Sequence, residues 1–519
     1  MKPISFRFRR RDLFRAGGLT TTAAMIGRPP SALAQNADVI GNTNVYSRIG
    51  VRPFINLTGG LTINGGLLTL PEVQNAMHEA AQSAVHIDEL MEKVGERLGQ
   101  LLGCEFGIVT AGCAAALTHA TAACVAGGDP EAMQRLPKPD GLKDEVIVTT
   151  RNAYDHAIRS VGVSMIEVSS REELYSALGR RTAMIFVLAS GRGDVRGNIP
   201  LDVLVEAARK INVPILVDVA GGLPLPPNPY LTGGADLVAY SGGKSLRGPN
   251  CAGLLLGRKD LVKAAWVNSS PHQSFGRPMK VGKEEIAGML AAVEALLYKR
   301  DLQAERRTHE SWLEHIAASL SEVPGIRTGP PGFTVSWDPE KIGLTAGELH
   351  RLLLEGEPRI MFHVYGSEQE FAFQITPGGM KPGEHQIVAR RLVHIFRTAS
   401  SAKPKTTPLP PATDVTGRWE LDIEFAARTS HHIVYFQARG NSLAGSHLGR
   451  WLKGDLTGTM EGDRVRFQSM LPYESAKLTY DFTGELSGDQ MKGEVRVAQQ
   501  IWPYCTARWR ARRRLNNAA

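Results

Sequence analysis

The sequence has few cysteines, and their spacing fits neither a metal site nor a disulfide framework. Five Cys occur in 519 residues, which is an odd number. No two of them are separated by the two residues typical of zinc knuckles and redox pairs. The thiols therefore predict neither a structural zinc site nor a small disulfide-stapled scaffold, and no metal ligand set is predicted for the chain.

Long apolar runs and a broad positive face are also missing. After residue 34 no apolar run approaches the roughly 20 residues that span a bilayer, so stable membrane insertion is not expected. The formal charge is +8, but the first 34 residues hold seven Lys or Arg and one Asp, which leaves only +2 for the rest. Five of the remaining Arg lie together within 508–514. This distribution argues against a nucleic-acid partner.

The first 34 residues predict an export signal. Arg10 and Arg11 are followed by Asp12, Leu13 and Phe14, then by a mildly apolar stretch and the small-residue sequence Ala-Leu-Ala that ends at position 34. This order matches a twin-arginine signal with its cleavage site. It predicts the twin-arginine export machinery as a partner and a periplasmic or otherwise exported location. A basic tail or a short membrane anchor is the alternative.

From residue 71 the pattern alternates between helices and short apolar runs. Pro71 occupies a favoured first helical position, and apolar residues recur at helical spacing over 87–102. The later runs are apolar throughout, which is typical of strands covered on both faces of a mainly parallel sheet. These runs are EVIVTT (145–150), AMIFVLAS (183–190), VPILVDVA (213–220), ADLVAY (235–240) and AGLLLG (252–257). The predicted fold class is α/β.

Composition divides the chain into further parts. A continuous helical pattern predicts one long helix over 283–320. Four prolines without periodicity mark a linker, and the alternating runs beyond it predict a small antiparallel β-sandwich or barrel. The predicted boundaries are 1–34 for the export signal, 35–70 for an N-terminal arm, 71–305 for the large domain, 306–399 for a smaller α+β domain, 400–413 for the linker and 414–514 for the β domain.

One lysine stands out within AYSGGKSLRGPN (239–250). Lys244 follows a predicted buried strand and lies on glycine-rich backbone. It is either a solvated residue in a glycine turn or an amine placed to hold a carbonyl cofactor as a Schiff base.

A second stretch, TAGCAAAL (110–117), follows a strand-like run and opens an Ala-rich helix. The backbone amides of Gly112, Cys113 and Ala114 are therefore candidates for holding a phosphate group at a helix N-terminus. Helix starts rich in Gly and Ala are common, so this pattern is weak by itself.

An acid and a flat side chain are the remaining candidates for contacting a cofactor. Asp218 ends the apolar run VPILVDVA, at the edge where open α/β sheets bind ligands. A buried acid there requires a cation or a protonated nitrogen, although a capping Asp in a turn is the alternative. RNAYDHAIRS (151–160) offers His156 or Tyr154 to stack on a cofactor ring, and a surface or capping role is the alternative for His156.

The order of these features resembles that of fold-type I pyridoxal-phosphate enzymes. The similarity is greatest to the branch that contains selenocysteine synthase and D-glucosaminate-6-phosphate ammonia-lyase. It runs through residues 45–300 and fades through 395. The stretches that carry it are GVRPFINLTGGLTINGG, ELMEKVGERLGQLLGCEFGIVTAGCAAAL, RNAYDHAIRSVG, VDVAG, SGGKSLRGPNCAGLLLGRKDL and GRPMKVGKEEIAGMLAAVEAL.

The resemblance implies pyridoxal 5'-phosphate as cofactor and a role for each matched residue. Lys244 would form the Schiff base, and Asp218 would contact the pyridine nitrogen. Ser241 and the amides of Gly112–Ala114 would hold the phosphate, with His156 stacked on the ring. The implied fold is the fold-type I transferase-like large domain followed by a smaller domain, in a homodimer or higher homo-oligomer.

Three further side chains are candidates for binding the substrate. SSPHQSFGRPMK (269–280) corresponds to a family segment near the active-site entrance, so His272 and Arg277 are candidates to hold an anionic group of a small amino-acid-type substrate. Arg247, three residues after the lysine, is another. A surface or interface role is the alternative for each.

The implied activity is α,β-elimination by a lyase acting on an amino acid or amino-sugar acid. Selenium or sulfur transfer to seryl-tRNA is one alternative, and export argues against it because charged tRNA is cytoplasmic. Selenocysteine synthase also carries an additional N-terminal region for its tRNA, whose place here is taken by the export signal. A non-catalytic binding protein is the other alternative. The β domain lies outside the resemblance.

Overall fold

The structure is a computed structural model. The predicted export signal and its cleavage site lie outside the residues that it describes. The described residues are 44–189, 193–364, 370–399, 408–474, 476–499 and 502–514.

Two sets of elements build residues 44–399. The strands are β1 (Phe54–Asn56), β2 (Phe106–Thr110), β3 (Glu145–Val148), β4 (Ser164–Glu167), β5 (Thr182–Leu188), β6 (Ile215–Asp218), β7 (Leu237–Ser241), β8 (Gly253–Gly257), β9 (Ile326–Gly329), β10 (Thr334–Trp337), β11 (Arg359–Met361) and β12 (Ala372–Gln374). The helices are α1 (Val45–Arg48), α2 (Pro71–Ala81), α3 (Ile87–Leu102), α4 (Cys113–Ala126), α5 (Pro130–Arg135), α6 (Asp155–Arg159), α7 (Arg171–Ala177), α8 (Leu201–Lys210), α9 (Pro229–Thr232), α10 (Lys259–Val267), α11 (Lys283–Tyr298), α12 (Leu302–Ser321), α13 (Ala346–Glu355) and α14 (Glu384–Thr398).

The large sheet has seven strands in the order β2-β8-β7-β6-β5-β3-β4. Strands β3 to β7 pair in parallel, and β8 is antiparallel to both of its neighbours. Strands β2, β6 and β8 are buried along their whole length. Continuous apolarity therefore did indicate strands covered on both faces, and the α/β fold class with a mainly parallel sheet is confirmed.

The helical region after residue 283 differs from the prediction. The pattern that predicts one helix over 283–320 forms two helices, α11 and α12. The side chain of Asp301 accepts hydrogen bonds from the amides of Gln303 and Ala304 and so caps the start of α12. An Asp at an N-cap favours the start of a new helix, so the helical pattern over 283–320 is interrupted at Asp301.

The smaller α+β part has a hydrophobic core of its own. Strand β1 pairs in parallel with β11, and β9, β10 and β12 form an antiparallel sheet. Ile55 and Leu57 from the N-terminal arm are buried in this core beside Trp312 and Phe362. The arm therefore packs as part of the smaller core.

The C-terminal β domain is a closed barrel. Its eight strands pair antiparallel in chain order, and the last closes on the first. The prediction of a sandwich or a barrel is thereby resolved, with aromatic side chains filling the interior. The strands are β13 (Gly417–Phe425), β14 (Arg428–Arg439), β15 (Ser442–Leu448), β16 (Lys453–Glu461), β17 (Arg464–Tyr473), β18 (Ala476–Ser487), β19 (Gln490–Gln499) and β20 (Trp502–Arg514).

The longest helix in the described parts of the chain, α12, has 20 residues. No helix there combines the length and apolarity needed to cross a bilayer.

Candidate active site

The candidate site lies where β6 and β7 end beside the start of α4. Asp218 is the last residue of β6, and Ser241 is the last residue of β7 and pairs with Gly253. A Cβ atom added to Gly253 would lie 2.5 Å from the backbone nitrogen of Cys113. This close approach brings the end of β7 against the N-terminus of α4.

The N-terminus of α4 presents free backbone donors. Gly112 is the N-cap with φ of +87°, in the left-handed region that glycine tolerates. The first intrahelical bond runs from the amide of Ala116 to the carbonyl of Gly112. The preceding amides, including those of Cys113 and Ala114, therefore have no intrahelical partner, and the 14-residue helix offers an anion site.

Asp218 is a buried acid in this cluster. Its exposed fraction is 3%, and its Oδ1 accepts hydrogen bonds from the amide of Ala220 at 2.9 Å and the thiol of Cys113 at 3.6 Å. Burial raises the pKa of Asp218, and the charge of Lys244 opposes that rise. No cation among the described residues lies within ion-pair distance of it. A protonated heteroaromatic nitrogen would supply the missing positive partner.

The thiol of Cys113 is a site group that the sequence reasoning missed, since only its amide was considered. Burial and the nearby Asp218 raise the pKa of Cys113 well above its ordinary value. The neutral thiol is therefore a weak hydrogen-bond donor to the carboxylate and not a nucleophile. The only sequence signal was a Cys at the first position of a helix that follows a buried strand.

Lys244 lies in the loop after β7, under a segment of the N-terminal arm. A Cβ atom added to Gly60 would lie 3.1 Å from Cγ of Lys244. The amide of Leu67 donates to the carbonyl of Gly243 at 2.9 Å, and the amide of Leu70 donates to the carbonyl of Arg247 at 3.1 Å. The arm therefore covers the lysine loop, a contact between distant parts of the chain that the sequence did not reveal.

Tyr154 and His156 differ in the contacts that their side chains make. Nζ of Lys244 is 6.0 Å from the centroid of the Tyr154 ring. Burial, together with the charge of Asp218, raises the pKa of Tyr154. Tyr154 is nevertheless 43% exposed, and His156, which is also exposed, contacts the guanidinium of Arg159 with its ring nitrogens at 3.2 and 3.4 Å. The contact with Lys244 favours Tyr154, the other residue considered, as the stacking group, and the choice between Tyr154 and His156 stays a prediction.

Arg247 follows the lysine by three residues, and its side chain bonds the N-terminal arm. Its amide donates to the carbonyl of Lys244 at 2.8 Å, while its Nε donates to the carbonyl of Leu68 at 3.1 Å. Burial and the neighbouring Arg300 lower the pKa of Arg247. Arg247 therefore anchors the arm to the lysine loop.

The other two substrate candidates are engaged away from the cluster. His272 contacts the carbonyls of Trp266 and Ser269 and lies 3.2 Å from a carboxylate oxygen of Asp88. Arg277 is exposed and donates to the hydroxyl of Ser270 at 3.2 Å. Within the described residues, no hydrogen bond or ion pair joins either side chain to Lys244 or Asp218.

Comparison with known proteins identifies relatives of the α/β portion. The chain is 31% identical over 377 residues to a 5'-C-glycyluridine monooxygenase-decarboxylase of Streptomyces sp, covering 68% of this chain and 92% of that protein. It is 29% identical over 377 residues to the D-glucosaminate-6-phosphate ammonia lyase of Salmonella typhimurium, covering 69% and 99%. An L-seryl-tRNA(Sec) selenium transferase of Moorella thermoacetica is 26% identical over 412 residues, covering 68% and 83%.

A solved structure of D-glucosaminate-6-phosphate ammonia-lyase has the same fold. It superposes with a TM-score of 0.61 at 28% identity and covers 69% of this chain and 100% of that chain. No protein-family model matches the chain. Residues 1–43 and 400–519 together make up just under a third of the 519 residues. The remainder is thus about the size of a whole relative, and the barrel is additional.

Proposed function

Since the chain belongs to the family of fold-type I pyridoxal-phosphate enzymes that includes D-glucosaminate-6-phosphate ammonia-lyase, we propose that it catalyses α,β-elimination on a small anionic amino acid or amino-sugar acid. One observation carries the proposal most strongly. The buried carboxylate of Asp218, the amine of Lys244 and the N-terminus of α4 converge at one edge of the sheet. The 29% identity to an ammonia lyase over nearly its whole length supports the reaction class.

The residues present fit pyridoxal 5'-phosphate. Asp218 is a buried acid that lacks a cationic partner among the described residues, and the amides that open α4 are ready to receive a phosphate. Ser241 pairs with Gly253, which lies against the start of α4, and Tyr154 offers a ring beside the lysine. When bound, the cofactor supplies an electron sink that makes the α-carbon of an amino acid acidic.

Each residue of the chain then has a defined task. Asp218 keeps the cofactor nitrogen protonated. The amine of Lys244 would hold the cofactor and, with substrate bound, would accept the α-proton. The bond to the β-substituent breaks, and that group leaves with the bonding electrons and takes up a proton. Water hydrolyses the released enamine to a 2-oxo acid and ammonia, which balances the reaction.

Two other activities are alternatives to α,β-elimination. The 31% identity to a 5'-C-glycyluridine monooxygenase-decarboxylase favours an oxygen-dependent decarboxylation as the second candidate. Selenium transfer is less supported, because the identity to a selenium transferase is 26%. A purely non-catalytic role would leave the lysine and the buried acid without a chemical purpose.

A substrate screen tests the proposal. The full-length protein, loaded with cofactor, is incubated with amino acids and amino-sugar acids that bear a β-hydroxyl group, while ammonia, 2-oxo acid, carbon dioxide and oxygen are all followed. Elimination releases ammonia and 2-oxo acid in equal amounts without oxygen uptake. Oxygen uptake with carbon dioxide release would instead establish the second candidate. Lys244→Ala is the control that must be inactive in either case.

We further propose that the enzyme is exported by the twin-arginine pathway after it has bound its cofactor. That pathway carries folded proteins, so a cofactor made in the cytoplasm would travel with its enzyme. Replacing Arg10 and Arg11 by Lys should leave loaded protein in the cytoplasm. Cell fractionation with cofactor fluorescence measures this, and unchanged export of the double variant would refute it.

A further inference from the structure

The barrel reaches the α/β portion through the tip of the β17–β18 hairpin. The carboxylate of Glu474 lies 2.7 Å from Nη2 of Arg151 and 3.0 Å from Nη1 of Arg159. The guanidinium of Arg159 also lies over the ring of Tyr473, 5.7 Å from its centroid. The side chains of both arginines are at most 20% exposed. One barrel carboxylate thus joins two arginines that lie eight positions apart in the chain.

These arginines flank the turn that presents Tyr154. Nε of Arg151 donates to the fully buried Asp155 at 2.6 Å, and Asp155 accepts the amide of Asn152 at 3.1 Å. The side chain of Asn152 in turn accepts the amide of Tyr154 at 2.7 Å. The path from Glu474 to the Tyr154 backbone is therefore a continuous series of charge-assisted and neutral hydrogen bonds.

Glu474 occupies a backbone position that ordinarily favours other residues. Its φ is +50°, in the left-handed region that favours Gly or Asn. A glutamate at this φ is strained, whereas a glycine would not be, because glycine lacks a Cβ atom. Because its two ion pairs are partly buried, they are screened less than ordinary surface pairs.

We propose that Glu474 is a positioning residue for the active site: the barrel hairpin holds the 151–159 segment so that Tyr154 stays beside Lys244. This inference rests on the proposed function only through cofactor binding at Lys244, not through the reaction. It gives the additional barrel a role in the site, although no barrel residue touches Lys244 or Asp218 among the described contacts.

Hydrogen exchange of the full-length protein without cofactor is the first test. Glu474→Gly removes the carboxylate and relieves the backbone at the same time, so the barrel itself should remain folded. Ala427, at the tip of the β13–β14 hairpin, has φ of +59° and is exposed, so Ala427→Gly is a matched control with the same backbone change. Amides in 151–160 should exchange about fivefold faster in Glu474→Gly, as expected for loss of a partly buried ion pair.

Two outcomes of that experiment decide the point. Equal exchange of 151–160 in both variants and in the wild-type protein would overturn the proposal. Faster exchange in Ala427→Gly as well would show a general effect of barrel hairpins, which also overturns it. If Glu474→Gly fails to fold, Glu474→Gln, which keeps the shape and removes the charge, takes its place in the same comparison.

A double-mutant cycle separates positioning from simple attachment of the barrel. Glu474→Gln should raise the dissociation constant of pyridoxal 5'-phosphate about fivefold, the effect expected of one partly buried charge pair. In a Tyr154→Ala background the same change should have no further effect, because the residue it positions is gone. An undiminished effect in that background would refute the positioning role. Glu474→Asp should restore part of the affinity.

These measurements need no substrate. A failure to find elimination activity would therefore leave this inference standing, whereas unchanged cofactor affinity in Glu474→Gln would overturn it even if the enzyme proved to be a lyase.

Discussion

The α/β portion and the barrel bury polar side chains in opposite ways. In the α/β portion Asp218 is 3% exposed, yet among the described residues it has only an amide and a thiol as partners. In the barrel, His432 and His447 are 6% and 0% exposed and satisfy one another. The α/β portion leaves bonding capacity for a ligand, and the barrel leaves very little.

The barrel interior shows how complete its internal bonding is. Nδ1 of His432 and Nε2 of His447 lie 2.7 Å apart. Nδ1 of His447 contacts the hydroxyl of Ser469 at 2.6 Å, and Nε2 of His432 contacts that of Ser430 at 2.9 Å. A satisfied polar chain stabilises and specifies a core, whereas an incomplete one indicates a site. The difference supports a site at Asp218 and gives no such indication at the histidine pair.

The largest expected effect is the loss of covalent cofactor attachment in Lys244→Ala. Activity should fall by at least about a thousandfold, since the same amine holds the cofactor and moves the proton. Lys453, exposed at the start of β16 in the barrel, gives the control variant Lys453→Ala. Borohydride reduction and peptide mapping locate the pyridoxyl group, and its presence on any other lysine would contradict the assignment.

A smaller loss is expected for Asp218→Asn. The amide cannot keep the cofactor nitrogen protonated, so the turnover rate should fall about a hundredfold while cofactor still binds. Asp236→Asn is the contrasting variant, because Asp236 has internal partners: Arg258 at 2.9 Å and the amide of Ile215 at 2.8 Å. It should lower stability and leave turnover per folded molecule near normal. Full activity in Asp218→Asn would remove this carboxylate from the mechanism.

Much of the fold was predictable because its signals are local. Continuous apolar runs located the central strands, and alternation located the barrel strands. The direction of β8 could not be predicted from local signals. The loop over 242–252 contains no helix, so the chain returns antiparallel to β7 instead of crossing over to a parallel position. The break between α11 and α12 is also stabilised by the side chain of Arg300. It donates to the carbonyl of Ser245 and to the carboxylate of Glu305.

The candidate site was predictable in its residue types and less so in its contacts. Asp218 and Lys244 follow apolar strands, and that position alone brings them to one sheet edge. The thiol of Cys113 against Asp218 depends on how α4 packs, which no spacing shows. The arm over the lysine loop and the hairpin of Glu474 come from distant parts of the chain, so only the fold reveals them.

The buried histidines of the barrel predict acid sensitivity. Burial lowers the pKa of His432 to about 4, and burial beside His432 lowers that of His447 to about 3, from 6.5. The unfolded chain thus binds more protons below pH 6.5, and stability present above that pH is lost as the pH falls towards 4. The free energy of unfolding should drop by about 1.4 kcal/mol per pH unit for each histidine in this window.

Paired histidine variants test this sensitivity. His447→Gln should flatten the pH dependence of unfolding, measured by denaturant titration at pH 7.5 and pH 5. His431→Gln is the control, because His431, which precedes His432 in β14, is 80% exposed and pairs with Asp422. An equal pH dependence in all three proteins would show that the histidine pair does not titrate on unfolding.

The smallest predicted effect separates Tyr154, the N-cap of α6, from His156 in the first turn of that helix. Tyr154→Ala should weaken cofactor affinity about tenfold through loss of the ring, and Tyr154→Phe should keep most of it. His156→Ala should change the affinity little, because His156 contacts Arg159 instead of Lys244. Fluorescence titration of the cofactor compares the three variants. A larger loss in His156→Ala than in Tyr154→Ala would reverse the assignment, and it would also remove the residue through which the barrel acts on the site.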